Sequence, residues 1–209
     1  MSVRNPLDYY VSLWSFGREK RKWLYTAFDE SVRDSIYGEG DHATFQRWIR
    51  HLFDAEGLVA KPENTNGYSL PEQIRYANRC GVGLFTLRWL VLATSSPRVP
   101  RPEKEVTRLT DVGRFFERRN RVDVFVRLEH LNDDLKEFAL RPGVELREGA
   151  LERLAAAAPA NPSSHDKAAA YFDDSTRDLV LRGDNAVFRR HYPDVLERLT
   201  RVVASGDST

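Results

Sequence analysis

Val122-Asp123-Val124-Phe125-Val126-Arg127-Leu128 is the stretch on which the fold turns. Its β-branched and aromatic residues sit between polar neighbours and read as a strand, and their near-continuous apolarity suits a strand buried in a parallel sheet. It is the one convincing strand in the chain, and everything around it reads as helix. A single strand makes no sheet. Either the chain is mostly helical, or its sheet has partners that residue pattern alone does not reveal.

Upstream, Leu7, Tyr10, Val11 and Trp14 recur at i, i+3, i+4 and i+7 and give one apolar stripe to a helix opened by Pro6. Gly17 is expected to interrupt that helix, and the basic run Arg18 to Lys22 leads into further helix through Trp23, Leu24, Ala27 and Phe28. Asp41 can cap a helix with Phe45, Trp48, Ile49, Leu52 and Phe53 on one face. Residues 60–68 have the composition of a loop, and Ser69-Leu70-Pro71-Glu72 reads as a capping box opening another helix. Gly81 and Gly83 break the chain before the apolar segment Leu84 to Ala93, expected as buried helix; residues 95–102, with three prolines, are a connector. Thr110 or Asp111 starts a helix that stops near Asn120.

Downstream of the strand, helix returns at Leu131, breaks at Pro142-Gly143 and resumes as an alanine-rich stretch ending near Ala158. Residues 159–166 are a loop, a last helical stretch runs from about Thr176 to Arg190, and residues 205–209 are expected to fray.

With 209 residues, 41% of them apolar, the chain is expected to form a single domain over residues 1–209. Thirty-two basic residues against 31 acidic ones leave a net charge of +1, so no global field recruits nucleic acid or an anionic membrane, and neither is an expected partner. Cys80 is the only cysteine, which rules out an internal disulfide and a cysteine metal cluster. Residues 1–10 lack the apolar run of a signal peptide, and the segment Gly81 to Ala93 is too short to span a bilayer, so a cytoplasmic location is the expectation.

Metal and nucleophile chemistry find little support. The histidines at 42, 51, 130, 165 and 191 form no pair at helical spacing, and HExxH, GxSxG, GxGxxG and GxxxxGK[ST] are all missing, so no metal site is expected and no catalytic residue is assigned. Asp133-Asp134 with Glu137, and Asp173-Asp174, stand at helix starts, where carboxylates complement the dipole. The basic run at residues 18–22 reads as a solvated face.

The N-terminal segment Val3-Arg4-Asn5-Pro6-Leu7-Asp8-Tyr9-Tyr10-Val11-Ser12-Leu13-Trp14 is more specific. Arg4 precedes a helix start, and Ser12 lies two turns inside it on the face away from the apolar stripe. Helical side chains lean toward the N-terminus, so Ser12 can reach back to a ligand that Arg4 also reaches. A guanidinium fork, a hydroxyl and a positive helix end suit one phosphate. Spacing alone favours the simpler reading, an exposed arginine and a polar-face serine.

This segment resembles the one by which sulfotransferases hold the 3′-phosphate of their donor, 3′-phosphoadenosine 5′-phosphosulfate, where an arginine at a strand end is followed eight positions later by a helical serine. Arg4 and Ser12 match both positions and their spacing. A second stretch, Val124 to Asp134, is similar to a later family strand that ends in an aromatic-Glu-Asp-like turn before a helix, although Leu128 stands where many relatives have a tyrosine against adenine. The resemblance implies an α/β fold, the helix-rich C-terminal portion of a sulfotransferase-like P-loop fold with few strands of the parallel sheet present. It implies the phosphosulfate nucleotide as co-substrate, Arg4 and Ser12 as its binding residues, and a small-molecule or carbohydrate acceptor. The helices from Asp41 to Ala93 would wall the acceptor pocket, with Trp48, Tyr68, Tyr76 and Trp89 available to stack, although core packing is the simpler role for most of them. The family's lysine-bearing phosphosulfate loop and its base come earlier in the chain than this segment, and only three residues precede Arg4 here. The expectation is an N-terminally incomplete, sulfotransferase-like domain; the alternative is a helical nucleotide-binding or protein-interaction remnant without turnover.

Overall fold

The partner of the 122–128 stretch is the chain's own N-terminus. A computed structural model of the protein describes residues 1–19, 22–59, 69–94, 102, 105–156 and 168–205. In it β1 (Ser2–Val3) runs parallel to β2 (Val126–Arg127), with Ser2 opposite Val126 and Val3 opposite Arg127. Met1 extends the pairing: its amino group donates to the Val124 carbonyl at 2.8 Å, and its carbonyl accepts from the Val126 N–H at 2.9 Å. The strand is shorter than its apolar run predicts. A ladder lasts only as long as its partner, and β1 supplies two paired residues before Arg4 and Asn5 turn into helix. At the other end Leu128–His130 curl into a 3₁₀ turn.

Parallel pairing requires a long crossover between the strands, and the described residues of this one are largely helical. Helix α1 (Pro6–Arg18) is capped by Asn5, whose side chain accepts the Leu7 N–H at 3.0 Å, and it buries Leu7, Tyr10, Val11 and Trp14 as expected. Gly17 does not end it. The Tyr37 ring lies flush on that glycine, where a Cβ would meet the Tyr37 hydroxyl at 2.7 Å, so Gly17 permits a close approach inside the helix. Helices α2 (Lys22–Tyr25) and α3 (Glu30–Tyr37) follow, then α4 (His42–Asp54), where the Asp41 carboxylate accepts the Thr44 N–H at 2.7 Å. Helix α5 (Leu70–Cys80) opens with the Ser69–Glu72 capping box and closes at Gly81, whose φ of 67° is left-handed. Next come α6 (Leu84–Thr94) and α7 (Asp111–Arg119). Beyond β2 lie α8 (Leu131–Ala139), α9 (Ala150–Ala156), α10 (Asp174–Gly183), α11 (Asn185–His191) and α12 (Pro193–Ser205).

The helix expected from Thr176 to Arg190 is thus two helices, broken at Asp184, whose side chain is drawn into the core by partners on α1 and α6. Helix α12 is not signalled by the pattern analysis; Val195, Leu196 and Leu199 pack it against the core. The loops expected at 60–68 and 159–166, the connector at 95–102 apart from Pro102, and residues 206–209 lie outside the described residues. Helix α4 sits centrally, packed on α1, α3, α5 and α10 around Trp14, Phe45, Trp48 and Ile49, all fully buried. The chain is mostly helical with a small two-stranded parallel sheet, in keeping with an α/β class. Among the described residues no helix is long and apolar enough to cross a membrane.

Candidate phosphate-binding site

Arg4 and Ser12 meet. The Arg4 guanidinium donates to the Ser12 hydroxyl at 2.7 Å across two turns of α1, and both side chains are half-buried. The cause is local. Pairing of Val3 with Arg127 ends β1 one residue before Arg4, Pro6 and the Asn5 cap start the helix at once, and the N-terminal lean of helical side chains brings Ser12 back over the turn. That hydrogen bond engages one of the five N–H groups of the Arg4 fork.

The turn itself is held by a residue that the sequence reading left without a role. Glu129, in the 3₁₀ turn that follows β2, accepts the Asn5 N–H at 2.7 Å and the Tyr192 hydroxyl at 2.9 Å, tying the start of α1 to the α11–α12 junction. Burial raises the Tyr192 phenol far above its usual range, and the neighbouring Glu129 carboxylate adds to the effect, so Tyr192 stays a neutral donor. Next to it Arg127 makes a two-pronged contact with Asp134, at 3.0 and 2.7 Å, and the Arg127 N–H adds a third bond at 2.7 Å. The Arg127 hydrogen bonds hold the Asp134 carboxyl below its ordinary value. The Asp133-Asp134 pair therefore lies in the first turn of α8, as its position implied, with Asp134 committed to an ion pair.

A cleft of about 390 Å³ opens beside this turn. Its walls include Asn5 and Asp8 from the start of α1, Ala168 and Ala169, and Val195 and Arg198 from α12. Asp8 stands one turn before Ser12 on the same face, so one wall carries a carboxylate and the opposite one a guanidinium.

The other residues singled out by sequence lie elsewhere. Trp48 is fully buried and donates its indole N–H to the Tyr37 hydroxyl at 3.0 Å, while Tyr76 is buried and donates its hydroxyl to the Pro102 carbonyl at 3.2 Å. The core role holds for both. Trp89 is 2% exposed, and Tyr68 lies outside the described residues. Asp173 caps α10, accepting the Thr176 N–H at 2.7 Å, and pairs with Arg50 at 2.5 Å. Among the described residues, no three or more His, Cys, Asp or Glu side chains are grouped to hold a metal ion.

A separate buried centre is Asp184. Its carboxylate accepts the Tyr10 hydroxyl and the Thr86 N–H, each at 2.7 Å, and the backbone of Gly83 presses so close that a Cβ there would lie 2.3 Å from the carboxylate oxygens. The group joins α1, α6 and α11 in the interior and faces no cleft described above. No family model matches the chain, and neither does any curated protein or solved structure.

Proposed function

We propose that the chain is sulfotransferase-like and that the β1–α1 turn holds the 3′-phosphate of 3′-phosphoadenosine 5′-phosphosulfate. On this reading the protein transfers the sulfuryl group to a hydroxyl of a small-molecule or carbohydrate acceptor, on an α/β fold of the sulfotransferase kind. The single observation that carries it is the 2.7 Å contact between the Arg4 guanidinium and the Ser12 hydroxyl at a strand end that enters a helix.

The chemistry follows from what these groups offer. An entering phosphate separates the pair, accepts two parallel N–H bonds from the Arg4 fork and one O–H bond from Ser12, and lies at the positive end of α1. Glu129 keeps the turn in place by occupying the Asn5 N–H, and the adjoining cleft leaves room for a nucleoside. Transfer further requires an in-line acceptor oxygen, a base for its proton and cations at the leaving phosphate. Arg4 and Ser12 bind and orient; the base and the 5′-side cations are assigned to no residue of this chain.

Titration calorimetry with adenosine 3′,5′-bisphosphate tests the clamp. Micromolar binding is expected, about 10- to 100-fold weaker in Arg4→Ala, as for loss of charge-assisted hydrogen bonds, and weaker for adenosine 5′-monophosphate, which lacks the 3′-phosphate. Equal affinity for the two nucleotides, or an Arg4→Ala variant that binds as the parent does, overturns the proposal. Turnover of a labelled sulfuryl donor separates transfer from binding without chemistry.

A further inference from the structure

A cavity larger than the cleft beside the β1–α1 turn lies elsewhere in the molecule. A pocket of about 510 Å³ lies between α6, α7 and α11, a size typical of small-molecule sites. Trp89 and Phe116 line it as a parallel stacked pair, their ring centroids 4.4 Å apart and their planes 10° from coplanar. Trp89 is 2% exposed, yet its indole N–H has no hydrogen-bond partner. An indole N–H enclosed in protein ordinarily finds an acceptor, because leaving it dry costs free energy.

Charge at the rim favours an anion. Arg189 and Arg190 both line the pocket and are exposed, and neither guanidinium makes a hydrogen bond or an ion pair with the described residues. The Arg190 guanidinium lies 4.2 Å from the centroid of the Phe116 ring, which holds it beside the aromatic pair with its N–H groups available. One carboxylate, Glu117, opposes these two cations. Gly113, in the first turns of α7, leaves the space beside it open, for a Cβ built there meets no atom within 4 Å.

We infer that this pocket is a binding site for a small aromatic carboxylate. The ring lies in the apolar part formed with Trp89 and Phe116, and the carboxylate is held by the Arg189–Arg190 pair. The site stands on residues separate from Arg4 and Ser12 and does not depend on the nucleotide reading.

The probe is 1-naphthoate, with neutral 1-naphthol as its comparator, titrated calorimetrically into the full chain at low salt. Naphthoate is expected to bind at least tenfold more tightly than naphthol, about the worth of one charge-assisted contact. The double variant Arg189→Gln/Arg190→Gln erases that difference, Arg4→Ala leaves it intact, and Gly113→Leu weakens both ligands at least tenfold by filling the open space. Gly113→Leu also replaces a poor helix former, so its melting temperature is expected at or above that of the parent, which separates lost binding from lost folding. No saturable naphthoate binding up to millimolar concentration, equal affinity for the two probes, or a Gly113→Leu chain that binds as the parent does overturns the inference.

Discussion

Replacing Asp184 by asparagine should remove a pH dependence of stability that one buried carboxyl imposes on the whole chain. Asp184 is fully buried, and desolvation lifts its pKa from the ordinary 3.8 to about 6 despite the opposing hydrogen bonds from Tyr10 and Thr86. The folded protein thus holds this proton to higher pH than the unfolded chain does. The protonated group favours folding fully below pH 3.8, and that advantage fades as pH rises through about 6. At 1.36 kcal/mol per pKa unit the total is about 3 kcal/mol, of which about 2.5 is lost between pH 4 and pH 8. Asparagine keeps the shape; its carbonyl can accept the Thr86 N–H while its amide faces the Tyr10 oxygen. Urea denaturation of both proteins across that range gives two stability curves. Their difference cancels the remaining titrating groups and should shift by about 2–3 kcal/mol in favour of Asp184→Asn as pH rises. A difference that stays flat within about 0.5 kcal/mol refutes the reasoning, for it means that the carboxyl titrates alike in the folded and unfolded chains.

Two glycines should respond oppositely to alanine. Gly83→Ala forces a methyl onto the buried Asp184 carboxylate and is expected to cost about 1–3 kcal/mol, whereas Gly113→Ala meets open space within α7 and should add about 0.5–1 kcal/mol, both read as shifts of the urea midpoint. Glu129→Ala strips the Asn5 N–H and the Tyr192 hydroxyl of their shared acceptor, so a loss of about 1–3 kcal/mol is expected together with weaker adenosine 3′,5′-bisphosphate binding; unchanged nucleotide affinity in a folded Glu129→Ala chain would show that the turn keeps its shape unaided.

Much of the candidate site was legible in the sequence because its parts are neighbours. Ser12 stands eight positions after Arg4, Pro6 opens the intervening helix, and helical geometry then carries the hydroxyl back to the guanidinium. Glu129 was not legible in this way: its contact with Asn5 spans 124 positions, and no local pattern marks a glutamate in the turn after a strand as the acceptor for a distant backbone amide. Trp89 shows the same limit from the other side. Its apolar neighbours announced burial, but the pocket it lines is formed by residues from α7 and α11, far along the chain.

The residue order alone determined the helix start at Pro6, the caps at Asp41 and Ser69, the buried stripes of α1 and α4 and the extended character around Val126, since each rests on local geometry, hydrogen bonds and side-chain spacing within a few positions. Only the tertiary structure decided that β2 pairs with the first residues and stops after two, that Gly17 stays helical beneath Tyr37, and that the last long helix breaks where Asp184 turns inward to Tyr10, 174 positions away. Ladder length, close approach and the burial of a carboxyl belong to pairs of surfaces, and such surfaces exist only once the chain has packed.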